Sequence, residues 1–299
     1  MIRPKIMTAL GGDSGLFIGE REYTSAPGVY YFEVPQAIRR IHVCAIGGGA
    51  QGAVSSDSSD YEFDHDGGGG GGLGWENNIV VEPGEILYVK VGGDSGVKRT
   101  EDDNATPIEG DDIPNDGWIV AGLTPTRRNG YGDGGKFIGT GGGEGGRGSI
   151  RTLMNGGSVA SRGSGGGAGG YRGNGGDGKT NGGSMTEIFG GGGSGGHSSY
   201  KAPSNKPETV DGFRGGGVGV RGEGPSGPPA ITDPLGIDSS YTGKPGNPGS
   251  GGEKYDFGAG GAGNRYGWDG SEDTKAGHGA VRIIWGNRFS YPDNADVEA

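Results

Sequence analysis

A period-two alternation of hydrophobic positions predicts several β-strands in the first half of the chain. Residues 29–34 are β-branched and aromatic and are followed by Pro35, as is typical of a strand end. Residues 38–46 place every second hydrophobic side chain on one face, and residues 117–122 form a further short run. These patterns predict an all-β fold with almost no α-helix.

The clearest pair of predicted strands covers residues 75–81 and 86–91. Both segments alternate, and the Pro83-Gly84 pair between them is typical of a tight turn. We therefore expect a β-hairpin here. In its second strand, Tyr88 and Lys90 lie opposite the face that carries the hydrophobic side chains.

The last predicted strand, residues 279–286, has no hydrophobic partner nearby in sequence. We expect it to pair with the N-terminal strands and to complete a small β-sandwich or barrel that is otherwise built from residues 28–123. Residues 1–27 would then form an N-terminal attachment segment outside the sandwich. Residues 287–299 would form a C-terminal tail.

Glycine changes this picture, because 77 of the 299 residues are glycine and only 29% are hydrophobic. That supply is too small for a conventional core of normal size. Residues 130–275 contain most of the glycine tracts, interrupted by inserts with aromatic residues. We expect packed polyglycine-II helices there, whose backbone groups bond to neighbouring helices and leave no room for Cβ atoms. The alternative is a flexible linker, which the aromatic inserts disfavour.

Charge and residue usage exclude several classes of function. The net charge of −11 disfavours a nucleic-acid partner. The single cysteine, Cys44, excludes an internal disulfide framework and a cysteine zinc cluster, and the four histidines have no metal-ligand spacing. No hydrophobic run is long enough to insert into a membrane.

Three motifs suggest chemistry that their context does not support. Gly47-x-Gly49-x-x-Gly52 matches a dinucleotide fingerprint, but a polar stretch and more glycines follow it where a helix would be needed. Residues 173–178 resemble a single calcium-binding nonapeptide copy without a repeat register. The acidic clusters at 57–66 and 101–103 lie in hydrophilic segments typical of solvated loops. We expect no enzyme activity, no cofactor and no metal.

The layout of strands, a Val-Glu-Pro-Gly-Glu turn and long glycine tracts resembles the glycine-rich phage tail-fibre adhesins. The ending 279–286, followed by residues 288–292, is similar to the C-terminus of structural proteins from cyanobacterial phages. This resemblance implies a virion protein, made in the host cytoplasm, whose polyglycine-II bundle presents loops for host attachment. Its partners would be tail-fibre or baseplate subunits and a host saccharide or outer-membrane protein. A homo-oligomer is left open.

Aromatic residues in the inserts are the candidate receptor contacts, because an aromatic ring offers a flat apolar face and a polar edge. At least half of them are expected to staple the glycine bundle instead. Two alternatives remain: a virion structural protein without receptor binding, and a glycine-rich extracellular matrix-like protein, which the lack of a secretory pattern in residues 1–10 disfavours. The candidates are Tyr61, Phe63, Tyr171, Tyr200, Phe213, Tyr241, Tyr255, Tyr266 and Trp268.

Overall fold

The computed structural model is all-β, as predicted, and no helix occurs in the residues that it describes. Beyond the main described ranges, it gives the backbone pairing of several short strands. The main ranges are 18–52, 67–100, 117–125, 133–149, 165–178, 215–222, 257, 276–286 and 288–293.

The strands of the described residues are short, and none exceeds the eight residues of β5. In chain order they are β1 (Gly19–Tyr23), β2 (Gly28–Glu33), β3 (Arg40–Ile46), β4 (Val54–Ser55), β5 (Leu73–Val80), β6 (Ile86–Val91), β7 (Ser95–Lys98), β8 (Trp118–Gly122), β9 (Arg127–Arg128), β10 (Tyr131–Gly132), β11 (Phe137–Ile138), β12 (Gly141–Gly143), β13 (Thr152–Leu153), β14 (Val159–Ser161), β15 (Lys179–Thr180), β16 (Ile188–Phe189), β17 (Ser199–Tyr200), β18 (Asn264–Arg265) and β19 (Ala280–Trp285).

Two five-stranded antiparallel sheets form the centre of the molecule. One sheet, which we call the covered sheet, has the strand order β1-β19-β3-β5-β12. The other, which we call the open sheet, has the order β11-β8-β7-β6-β2. The alternating hydrophobic side chains of both sheets meet between them, so the period-two faces predicted for residues 41–45 and 87–91 are confirmed. This core includes Ile41, Val43, Ala45, Leu87, Val89, Val97, Val120, Val281 and Ile283. The face predicted for residues 75–81 is wrong, because Trp75 packs on a second core whereas Ile79 and Val81 pack between the sheets.

The closing strand β19 pairs with the N-terminal strands, as predicted. It lies between β1 and β3, with Ile283 opposite both Arg21 and Val43. Strand β1 therefore belongs to the sandwich, although it falls in the segment 1–27 that we placed outside it. The burial of Tyr23 at the end of β1 gives the reason, because its ring joins the core between the sheets.

The predicted hairpin is wrong, because β5 and β6 belong to different sheets. Strand β5 pairs with β3 and β12, and β6 pairs with β2 and β7. The Pro83-Gly84 turn instead crosses from one sheet to the other, and the Gly84 N–H donates to the Val34 carbonyl at the end of β2. Alternation shows which side chains share a face, and both arrangements satisfy it.

A second core covers the outer face of the covered sheet. Strand β3 is buried on both faces, with Cys44 and Ile46 pointing away from the sandwich core. Segments from the glycine-rich region pack against these side chains. The second core contains Cys44, Ile46, Leu73, Ala168, Tyr171, Val218, Val220, Phe257, Ala280, Ile284 and Tyr291.

The glycine tract at residues 67–72 makes backbone hydrogen bonds to three neighbouring segments, and its partners repeat every three residues. The N–H groups of Gly67 and Gly70 donate to residues 149 and 146 at 2.9 Å. The carbonyls of residues 69 and 72 accept from residues 50 and 47, and those of residues 68 and 71 accept from residues 166 and 169, all at 2.9 Å. A three-residue period of partners is what a threefold extended helix requires.

A second pair of segments shows the same period with side chains added. The N–H groups of residues 175 and 178 donate to the carbonyls of residues 144 and 147, at 2.7 and 2.8 Å. In return, the N–H groups of residues 144 and 147 donate to the Oδ1 atoms of Asn174 and Asp177, at 2.9 and 2.8 Å. These two side chains belong to the segment 173–178 that resembled a calcium-binding repeat. Their Oδ1 atoms accept hydrogen bonds from the neighbouring segment in place of backbone carbonyls.

These segments approach so closely that side chains are excluded between them. A Cβ atom added to Gly70 would lie under 3.0 Å from the carbonyl of residue 167, and one added to Gly145 or Gly166 would meet other carbonyls equally closely. Real Cβ atoms essentially never make such contacts. The packing is therefore backbone against backbone, and only glycine permits it at these positions.

The predicted domain boundaries differ from the structure at both ends. Strands β11 and β12 come from the predicted glycine domain 130–275, yet they complete the edges of both sheets. In the predicted tail 287–299, Tyr291 is buried, and its N–H donates to Asn77 Oδ1 at 3.0 Å. The side-chain amide of Asn77 donates back to the Tyr291 carbonyl at 2.8 Å.

Substituting Gly70→Ala is expected to lower the free energy of unfolding by about 3 kcal/mol, since the added methyl group overlaps a backbone carbonyl that is itself hydrogen-bonded. Gly173→Ala is the matched control in the same region, because its Cβ would meet nothing within 4 Å. It should be neutral or stabilising by up to about 1 kcal/mol. Urea unfolding of the two variants measures the difference, and equal midpoints would contradict backbone-against-backbone packing.

Candidate binding surface

The structure describes the side chain of one predicted receptor-contact residue, Tyr171. Tyr200 lies in strand β17, opposite Ile188 of β16, and only its backbone pairing is given. The remaining candidates stay predictions, because they lie outside the described residues. They are Tyr61, Phe63, Phe213, Tyr241, Tyr255, Tyr266 and Trp268.

Tyr171 is fully buried, so its assignment as a receptor contact is wrong. Its hydroxyl donates to the Gly219 carbonyl at 2.9 Å and accepts from the Gly222 N–H at 3.1 Å. Its ring stacks on Tyr291, with 5.9 Å between the centroids and an interplanar angle of 9°. Tyr171 therefore staples the glycine-rich region to the covered sheet, the other role that was expected for such aromatics.

A buried charge cluster lies on the same face of the covered sheet. The guanidinium of Arg282 in β19 is fully buried and is paired with Glu20 and Glu22 of β1, with 3.3 Å between its Nε atom and the Glu22 carboxylate. Arg221 joins the cluster through Glu22 at 3.4 Å. A buried charge of this kind is tolerated only when it is paired, so the cluster ties β1 and the segment 215–222 to β19.

Buried thiol and phenol groups in both cores hold their protons more tightly than usual. Burial raises the pKa of the Cys44 thiol to about 12. Burial also raises the pKa of Tyr23 to about 12, and it raises the pKa values of Tyr171 and Tyr291 well above the usual value. A thiol or phenol that is sealed from water in this way is suited to packing and not to nucleophilic chemistry.

The glycines of the rejected dinucleotide fingerprint take part in the backbone packing. The N–H groups of Gly47, Gly48 and Gly49 donate to the carbonyls of residues 72, 93 and 277, at 2.9, 2.7 and 2.9 Å. Amides with these partners are not free to cradle a phosphate, which a dinucleotide site would need. No helix follows them in the described residues.

The outer face of the open sheet is the candidate binding surface. Strand pairing places Tyr31, Tyr88, Lys98 and Trp118 in one row across β2, β6, β7 and β8, since each is the register partner of the next. Tyr31 is 56% exposed. We call these four residues the aromatic row.

The aromatic row is held in a defined geometry. The rings of Tyr31 and Tyr88 pack edge to face, with centroids 5.4 Å apart. The Lys98 ammonium lies 4.2 Å from the centroid of the Trp118 ring, within the range of a cation–π interaction. The Trp118 ring covers Gly96, where an added Cβ atom would clash with it.

Val29 and Lys90 form a second row beside the aromatic row, since they are register partners on β2 and β6. Together the two rows line a groove with a cavity of about 110 Å³. Val29 is 48% exposed, so two large, exposed hydrophobic side chains of the described residues lie side by side on this face. A groove that combines aromatic rings and ammonium groups is suited to an anionic ligand with apolar faces.

Sequence reasoning missed this surface because the row exists only after strand pairing. The alternation had correctly placed Tyr88 and Lys90 on the face away from the core. Strand β7, which supplies Lys98, has the sequence Ser-Gly-Val-Lys and gives no strand signal. The available signal was the pair of exposed aromatic and basic positions on β6, with the tyrosines of β2 as the nearest candidates for partners.

The described residues give no sign of a metal centre or of a membrane-spanning helix. Nowhere in the described ranges do three His, Cys, Asp or Glu side chains come together as metal ligands. The same part of the chain holds no helix of the length and hydropathy needed to cross a bilayer. In comparisons with known proteins, no protein-family model and no curated protein matches this chain.

The free energy of unfolding is expected to fall as the pH rises from about 9 to about 12. In this range the unfolded chain releases the Cys44 and tyrosine protons, whereas the folded chain retains them because their pKa values are raised. Stability is therefore greatest below the ordinary thiol pKa and is lost above it. Urea titrations at several pH values measure the slope, and a Cys44→Ala variant should show a shallower decline.

The reactivity of Cys44 provides an independent check. At about pH 8, the folded protein should not react with a thiol-specific disulfide reagent, and the urea-unfolded protein should react fully. Rapid reaction of the folded protein, or stability that rises with alkaline pH, would contradict the burial of this cluster.

Substituting Arg282→Ala is expected to cost about 3–5 kcal/mol of unfolding free energy, because two carboxylates on β1 lose their buried partner. Arg39→Ala is the matched control, since Arg39 pairs with Glu82 on the surface, where both side chains are more than 70% exposed. That change should cost less than about 1 kcal/mol. Equal effects in chemical denaturation would show that the Arg282 cluster does not tie β1 to the fold.

Proposed function

We propose that this chain is a host-attachment component of a tailed-phage virion, in which a polyglycine-II bundle presents inserted segments for recognition. The observation that carries the proposal is the three-residue period of backbone hydrogen bonds between the tract 67–72 and three neighbouring segments. This period suits threefold helices packed side by side, the arrangement implied by the resemblance to the adhesins.

Backbone packing of this kind suits a presenting scaffold. Each backbone bond fixes two segments that are far apart in the sequence, such as residues 68 and 166. The Arg282 cluster and the stacked pair of Tyr171 and Tyr291 fasten the bundle to the covered sheet. A scaffold that is ordered before binding lowers the entropy lost when a ligand is captured.

The inserts begin and end at this scaffold. The described tracts stop at residue 178 and resume at residue 215, and the insert between them contains the three-stranded sheet β15–β16–β17. Another insert leaves after residue 222 and is bridged at Phe257, whose carbonyl accepts from the Val218 N–H at 3.1 Å. These inserts carry six of the predicted receptor contacts: Tyr200, Phe213, Tyr241, Tyr255, Tyr266 and Trp268.

Many copies on one particle would convert weak contacts into firm attachment. Contacts from several inserts add up only if the scaffold holds them in fixed relative positions, and further copies multiply the effect. The acidic net charge of −11 does not suit a phosphate backbone as partner.

The test is binding of the fluorescently labelled protein to intact candidate host cells, with unlabelled protein as competitor. We expect saturable, competed binding to a narrow set of strains. Tyr241→Ala and Trp268→Ala should weaken it about tenfold if these aromatics are recognition anchors. Val80→Ala is the control, because Val80 is exposed on β5 of the covered sheet and is not one of the candidate contacts.

A negative result decides between the two virion roles. If the folded protein binds none of the strains that the parent particle binds, the host-attachment proposal fails. The alternative, a virion structural protein without receptor binding, then takes its place, and the protein should co-purify with tail or capsid subunits.

A further inference from the structure

The outer face of the open sheet has a groove that is lined by described residues. We infer that this groove binds one ring of an acidic saccharide, a sugar that bears a carboxylate, with the aromatic row as its floor. The inference deepens the proposed function and rests on it, since the saccharide would belong to the host surface. It names a chemical class of ligand and a second site, separate from the inserts.

Lys98 supplies the preference for a negative charge. Its ammonium lies against one face of Trp118, and no carboxylate of the described residues is paired with it. The Lys98 side chain is buried and lines the groove. Burial lowers the dielectric around its ammonium group, which strengthens a charge-assisted hydrogen bond. Lys90 lines the same groove, so two positive charges converge in a protein whose net charge is −11.

The tyrosines supply the surface for a sugar ring. Tyr31 is 56% exposed and is held by its edge-to-face contact with Tyr88. A pyranose ring has an apolar face of C–H groups and a rim of hydroxyls, which matches an aromatic face bordered by phenol and ammonium groups. Val29 extends the apolar surface beyond Tyr31.

The size and openness of the groove fit one ring of a longer chain. Its cavity of about 110 Å³ is well below the range of about 300–1,000 Å³ found for pockets that enclose a whole ligand. The groove crosses four strands and reaches the edge of the open sheet at β2, which pairs with β6 alone. An oligosaccharide can therefore place one ring in the groove while its neighbours extend past the edge.

The experiment titrates the full protein with short oligouronates and oligosialates and with neutral oligosaccharides of the same length. We expect binding of an acidic member at millimolar concentrations or tighter and at least about tenfold weaker binding of its neutral counterpart. Added salt should weaken the acidic ligand more than the neutral one.

Two variants in the groove and one outside it locate the site. Lys98→Met keeps the hydrophobic stem against Trp118 and removes the charge, so it should weaken the acidic ligand about tenfold and leave the neutral one unchanged. Tyr31→Ala, at an exposed position, should weaken both ligands. Val80→Ala is equally exposed, at 56%, and should change neither. Urea midpoints confirm that each variant is folded.

The outcomes separate this inference from the proposed function. If cells are bound but no acidic saccharide is, or if Lys98→Met and Tyr31→Ala bind the saccharide normally, the groove inference fails and host attachment stands. If the saccharide binds in the groove but no cell is bound, the saccharide site stands and the proposed function fails. Equal binding of acidic and neutral chains would overturn the role given to Lys98.

Discussion

The hydrogen bond between two glycine backbones is the interaction on which this structure depends. An extended threefold chain makes no internal hydrogen bonds, so every N–H and C=O group must find a partner on another segment. Every residue of the tract 67–72 makes at least one backbone hydrogen bond to another segment, and the partners belong to several segments. Each neighbour approaches so closely that a Cβ atom at Gly70 or Gly145 would meet a carbonyl. The requirement for glycine at these positions follows from this geometry.

This packing makes the two faces of the sandwich unequal. The glycine-rich region lies on the covered sheet, where β3 is buried on both faces and the paired charges of Arg282 and the phenol of Tyr171 lie out of reach of water. Those groups fasten the described glycine-rich segments to the covered sheet and are themselves buried. On the open sheet, Tyr31 is 56% exposed, whereas Lys98 and Trp118 of the aromatic row are buried. The buried charge cluster and the partly exposed aromatic row thus lie on opposite sides of one sandwich.

The strands of the sandwich could be predicted because alternation reports burial directly. The faces of β3 and β6 and the pairing of β19 with the N-terminal strands followed from residues such as Val43, Leu87 and Ile283. The sheet to which a strand belongs did not follow, because β5 and β6 alternate equally well in one sheet or in two. The partners of the glycine tracts were equally hidden, since glycine has no side chain to indicate which segment lies opposite.

The roles of the candidate site residues could not be predicted from the sequence either. An aromatic residue among glycines can either staple the packed segments or contact a receptor, and the sequence does not separate these two roles. Tyr171 is buried in the packing, where its hydroxyl is hydrogen-bonded to Gly219 and Gly222. The aromatic row depends on register, and a shift of one residue in β7 would turn Lys98 into the core and Val97 outward. The burial of Val97 between the sheets therefore fixes where the Lys98 ammonium lies. Core packing on one face of the open sheet thus determines which side chains line the groove on the other.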